Sequence, residues 1–155
     1  MRVTAKVDYA VRALMAIAAI ERQRPCVAVK RDAIAAAEAI PPAYLEDILR
    51  SMRNGRLVRS QRGAEGGWRL ARPPEAISVA DVIRVVEGPL ANVRGLRPHE
   101  LAAEDANEAR VRLWVAVRTA LRSVLEHVTI AHLVDGRLPA DVDALADTPD
   151  AWSSR

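Results

Sequence analysis

Pro42-Ala43-Tyr44-Leu45-Glu46-Asp47-Ile48-Leu49-Arg50-Ser51-Met52-Arg53-Asn54-Gly55-Arg56-Leu57-Val58-Arg59-Ser60-Gln61-Arg62-Gly63-Ala64-Glu65-Gly66-Gly67-Trp68-Arg69-Leu70 is the stretch that decides the fold. Its first half has the period of a helix. Leu45, Ile48, Leu49 and Met52 fall on one face, and Pro42 suits the first helical position, where its missing N–H costs nothing. Gly55 after Asn54 is expected to be a left-handed cap. The second half reads as two short strands, Leu57 to Arg62 and Trp68 to Arg72, joined by a glycine-rich turn. A helix running into a hairpin, with arginine at 50, 53, 56, 59, 62, 69 and 72, suits a polyanion, because guanidinium groups displace the counterions of duplex DNA.

Working outward, the pattern predicts a helix from about Ala5 to Glu21 and a short one after Lys30, with Ile34 inside. Beyond the hairpin, Ser78 and Asp81 have the spacing of a capping box ahead of Val79, Val82, Ile83 and Val86, and Gly88-Pro89 closes that helix. Residues 89–106 lack a period. A long helix is then expected from about Asn107 to Leu133, with Trp114, Val117, Leu121, Val124 and Val128 as a coiled-coil-like seam. Gly136 ends it, and a loose polar tail follows. The fold class is mainly α with a small β-hairpin wing: a winged helix-turn-helix over 1–88, a loop over 89–106, and a dimerisation helix with tail over 107–155.

Charge divides the chain in the same way. Residues 1–74 carry a net +7 and residues 75–155 a net −4, giving +3 for the whole. The basic half is the expected DNA-binding part. A single cysteine, Cys26, excludes an internal disulfide and a four-cysteine zinc site. The apolar run Ala13 to Ile20 is too short to span a bilayer and reads as a buried helix face. A reducing, cytoplasmic and nucleoid-associated setting is expected, without a membrane. Nothing pairs a nucleophile with a base, so no enzyme is expected. His127 and His132 miss the same-face spacing of a helical metal pair, and His99 stands alone in the loop. Cys26 is expected to be a small buried hydrophobe.

The residues also resemble a known family. Met1-Arg2-Val3-Thr4-Ala5-Lys6 leading to Tyr9-Ala10-Val11-Arg12-Ala13-Leu14 is similar to the opening of the Rrf-two regulators. So are Tyr44-Leu45-Glu46, Leu57-Val58 and Arg62-Gly63-Ala64-Glu65-Gly66-Gly67-Trp68-Arg69-Leu70-Ala71, which resemble that family's recognition helix and wing. The resemblance implies a homodimer on a pseudo-palindromic operator, acting as a repressor. It implies Thr4, Lys6, Tyr44 and Arg62 as DNA contacts, to which helix and strand geometry adds Arg50 and Arg59. Two departures stand out. Glu65 takes a usual glycine position in the wing. The loop over 89–106 lacks the cysteines with which sensor members hold an iron–sulfur cluster, and Asp8, a carboxylate ligand in some members, has no thiolates to join. No cofactor is therefore expected, and control falls to an unidentified small molecule, a partner or abundance. A winged-helix module that docks proteins instead of DNA is the alternative.

Overall fold

The computed structural model describes residues 3–98, 100 and 107–153. Helix α1 (Ala5–Gln23) starts at Thr4, whose hydroxyl accepts the Val7 amide, and buries Ala10, Ala13, Leu14, Ala16, Ile17 and Ala18. Helix α2 (Arg31–Glu38) ends at left-handed Ala39, and the turn brings Ile40 into the core before α3 (Pro42–Asn54) begins with proline at its N-terminus. Strands β1 (Val58–Gln61) and β2 (Gly67–Leu70) pair antiparallel, Val58 with Leu70 and Ser60 with Trp68. Val29 adds a one-residue third strand, its amide and carbonyl each 2.8 Å from those of Trp68. A 3-10 turn (Pro74–Ala76) leads to α4 (Val79–Val86), whose start is the expected Ser78–Asp81 capping box. Helices α5 (Glu108–Leu125), α6 (Ile130–Val134) and α7 (Ala140–Ala146) complete the chain. Among the described residues, no helix is long and apolar enough to cross a membrane.

The turn after α3 corrects an expectation. Gly55 has φ −78°, and the left-handed residue is Arg56 at φ +58°. The amides of Arg56 and Leu57 reach back to the carbonyls of Arg53 and Met52, which is a Schellman ending with arginine in the glycine position. Gly55 is required for space instead. A Cβ there would lie 2.3 Å from Cγ2 of Val85, because α4 crosses directly over it. Gly67 is similar, since a Cβ would stand 2.5 Å from the Val29 carbonyl oxygen and prise that strand from the wing.

The expected helix from 107 to 133 is two helices. The chain leaves α5 at Leu125, and Thr129 caps α6 through a box with His132. Val128 and Ala131 are buried against their own chain. The Val128 carbonyl accepts the Val79 amide, and Ile130 donates to Ile77. Backbone pairing with the residues around α4 is what breaks the helix. The seam therefore loses Val128, which is 6% exposed. The expected loose tail contains α7, with Val142 buried. Cys26, expected inside, is exposed with φ +74°.

Glu126 fixes α5 to the body. Its Oε1 accepts from Arg122 at 2.9 Å and from Arg84 of α4, and these two guanidiniums hold its carboxyl at about 2, below the ordinary 4.5. A folded-state value below the unfolded one gives stability that is complete above about 4.5 and is lost as pH falls towards about 2. The urea midpoint of Glu126→Gln should therefore lie below wild type at pH 7, and the gap should shrink as pH drops through that window. A gap independent of pH refutes this. Gly55→Ala should lose about 1–3 kcal/mol by urea unfolding, and Val85→Ala in the same chain should restore part of it.

Candidate DNA-binding face

Tyr44 projects from the first turns of α3 and is 60% exposed. Its ring lies 6.3 Å from that of Tyr9, which carries the Arg12 guanidinium 5.8 Å from its centroid. Arg12 in turn donates to Glu38 at 3.2 Å, and Asp8 pairs with Arg12 at 3.5 Å. Tyr44 is thus braced by α1 and, through Arg12, by the end of α2. Asp8 is an ordinary helix-surface ion pair.

The arginines of the stretch separate into two sets. Arg69 is held by Glu21 of α1, which also accepts the Leu70 amide, at 3.0 and 3.2 Å. Arg72 pairs with the capping Asp81 at 3.2 Å. Arg50 lies within 3.7 Å of both Glu46 and Asp47. By contrast, Arg53, Arg56, Arg59 and Arg62 make no ion pair among the described residues. Arg53, Arg56 and Arg59 line one shallow concavity between the end of α3 and the wing, with Ser60 beside them. Arg62 leaves β1 for the wing tip, where Gly63 at φ +101° turns the chain and the Gly66 amide returns to the Gly63 carbonyl at 2.9 Å. Glu65 is exposed at that tip. Arginine density alone marked the whole region. Separating the two sets needed the positions of Glu21, 48 residues from Arg69, and of Asp81 in the following helix.

Thr4 and Lys6 open α1. The Thr4 hydroxyl, besides capping, donates to Oε1 of Glu87 at 2.7 Å, a link across the chain that no local pattern announces. Lys6 is half-buried and makes no ion pair among the described residues.

On α5 the expected seam splits. Trp114 and Leu121 face the body, and Val117 shares that side. Leu113, Val117 and Val124 lie on the next stripe with Ala116 and Ala120, by 3.6 residues per turn. Leu113 is 53% exposed and was not in the expected set, because alanines dilute its stripe.

An iron–sulfur cluster does not fit these donors. Soft thiolate is the ligand required, and the one cysteine follows the end of α1 while Asp8 lies in its first turn. Fifteen residues of helix from Asp8 to Gln23 put them roughly 20 Å apart. His99 lies outside the described residues. Among the described residues, no three metal-ligating side chains cluster. His127 stands 3.8 Å from Asp141, and His132 is occupied as a helix cap.

The chain is similar to known proteins over most of its length. The model of the Rrf2 family, described as an iron-dependent transcriptional regulator, matches residues 3–136. A Mycobacterium tuberculosis protein named as an HTH-type transcriptional regulator is 47% identical over 154 residues, covering 99% of this chain and 94% of its own length. The Escherichia coli regulator IscR is 29% identical over 155 residues, covering 100% and 93%. Among solved structures, the Bacillus subtilis global cysteine regulator CymR superposes with TM-score 0.72 at 31% identity, covering 88% of this chain and 98% of that one. IscR of T. potens gives TM-score 0.65 at 28% identity, covering 100% and 93%. These relatives favour a transcriptional regulator over a protein-docking module. The chain belongs to the Rrf2 family of transcriptional regulators, as a winged helix-turn-helix DNA-binding member without the cysteines that would hold an iron–sulfur cluster.

Proposed function

We propose that the protein is a cytoplasmic repressor that binds a pseudo-palindromic operator as a homodimer and needs no iron–sulfur cluster to do so. The observation that carries the DNA half is the unpaired arginine set beside α3 and the wing. In this reading α3 lies in the major groove with Tyr44 and Arg50 towards the bases. Arg62 enters a minor groove at the wing, and Arg53, Arg56 and Arg59 meet phosphates. Thr4 and Lys6 bring the start of α1 to the backbone.

The dimer half rests on α5. Leu113 and Val117, each exposed by a third or more, share one stripe with Ala116, Ala120 and Val124, an apolar face for a second copy. In the dimer Val124 continues that surface towards the body.

Footprinting across the protein's own upstream region tests the DNA reading. Arg62→Ala should lose about 1–3 kcal/mol of affinity, and Arg59→Ala should lower the salt slope by about one. Arg69→Ala should instead lower the urea midpoint, because Glu21 loses its partner. Equal effects of Arg59→Ala and Arg69→Ala on the salt slope would sink the division into two sets.

Sedimentation at micromolar concentration should give a dimer. Leu113→Arg should give a folded monomer with weakened operator binding, whereas a dimeric Leu113→Arg of normal affinity refutes the assignment. Half-sites should lie about one helical turn, roughly 10 base pairs, apart.

Protein purified without oxygen should be colourless and bind its operator. Visible charge-transfer absorption with stoichiometric iron and acid-labile sulfide overturns the cluster-free reading.

A further inference from the structure

A cleft of about 480 Å³ lies between α5 and the body, within the range of roughly 300–1,000 Å³ usual for small-molecule sites. Trp114 and Leu121 form one wall, and Val7 of α1, Ile83 of α4 and Leu90 form the other. Among the described residues the lining is apolar except for Glu87 and Asn92, and Glu87 is the only ionisable one. Glu87 stands at the rim, and its Oε1 is the oxygen that accepts from the Thr4 hydroxyl at 2.7 Å. Thr4 also caps α1, whose Val7 is part of the wall. One carboxylate therefore touches both the mouth of the cleft and the cap that orders the start of α1.

The two stripes of α5 indicate what belongs here. Leu113, Val117, Ala120 and Val124 follow spacings of four, three and four, which suits a neighbouring helix. Trp114 and Leu121 are turned from that stripe into the cleft, and Val117 borders both. In the dimer proposed above, a second copy seated on Leu113, Ala120 and Val124 leaves Trp114 and Leu121 to the cleft. Among the described residues the space is apolar inside, with one carboxylate, that of Glu87, at the rim.

We propose that this cleft is an effector site for a small molecule with an apolar body and a primary-amine head, the head competing with Thr4 for Glu87. Occupation then loosens the α1 cap and lowers operator affinity, and by reciprocity DNA lowers amine affinity by the same factor. The regulatory half rests on the operator-binding reading above, while the binding half does not.

The test uses n-octylamine, n-octanol and octanoate, titrated into the full-length dimer by calorimetry and followed by tryptophan emission. Octylamine should bind and change the emission, and the change should vanish in Trp114→Phe. Octanoate should bind about tenfold more weakly, because it meets Glu87 with like charge. Glu87→Gln should bring octylamine and octanoate within about threefold of each other, as an exposed ion pair allows, and leave octanol unchanged. No octylamine binding up to about 1 mM on the folded dimer overturns the proposal. So does octanoate binding as tightly as octylamine, or an emission change that persists in Trp114→Phe. Octylamine should also weaken the gel shift of the upstream fragment several-fold, and binding without that effect overturns the effector role. A chain that takes octylamine but shifts no upstream fragment even alone refutes the operator reading while the cleft assignment stands.

Discussion

Helix α1 is packed on several sides at once, and alanine makes that possible. Ala10, Ala13, Ala16 and Ala18 are buried alongside Leu14 and Ile17, and α2, α3, α4, α6 and β2 all meet this one helix. A methyl side chain lets neighbouring helices approach closely and loses no rotamer entropy on burial. The polar ties follow the same helix. Thr4 reaches Glu87, Arg12 reaches Glu38, Glu21 holds β2, and Arg22 pairs with Asp135 at 2.8 Å. Around the candidate DNA-binding face, α2, α3 and β2 take their positions from α1, and β1 follows through β2.

That arrangement also divides the arginines. An arginine near a carboxylate on a neighbouring element becomes a structural tie, as Arg69 does with Glu21 and Arg72 with Asp81. One that finds only the end of α3 and its own strand has no counter-charge in reach among the described residues, as with Arg53, Arg56 and Arg59. The residue type is the same in both sets. The difference lies in whether the fold supplies a counter-charge within reach.

At the other end of the molecule, α5 is anchored near its C-terminus and projects from there. Leu125 packs beside Val7, Ala80, Ile83 and Leu90, and Glu126 binds Arg122 and Arg84. Towards its start the helix moves away from α4, leaving an apolar cleft beneath and an apolar stripe outside. The break at residues 126–129 belongs to the same joint, since Val128 and Ile130 exchange backbone hydrogen bonds with Val79 and Ile77. A continuous helix could not make those bonds, because its own ladder would occupy the same amides and carbonyls.

Local chemistry alone determined much of this protein. The apolar period of α3, the proline at its start, the Ser78–Asp81 box and the glycine-rich turn each act within a few residues, and the elements formed where those signals stood. The lack of cysteine in the loop is likewise a fact of the chain. What only tertiary structure decided involves partners far apart in sequence. Gly55 is a glycine because Val85 passes over it, not because of its φ. Val128 continues an apolar period, yet pairing with Val79 takes it out of the helix and buries it. Glu21 takes up Arg69 from 48 residues away, and Thr4 meets Glu87 across 83 residues of chain. A periodic pattern states which face of an element is apolar. It carries no information on which distant side chain that face, or the charge beside it, will meet once the chain has closed.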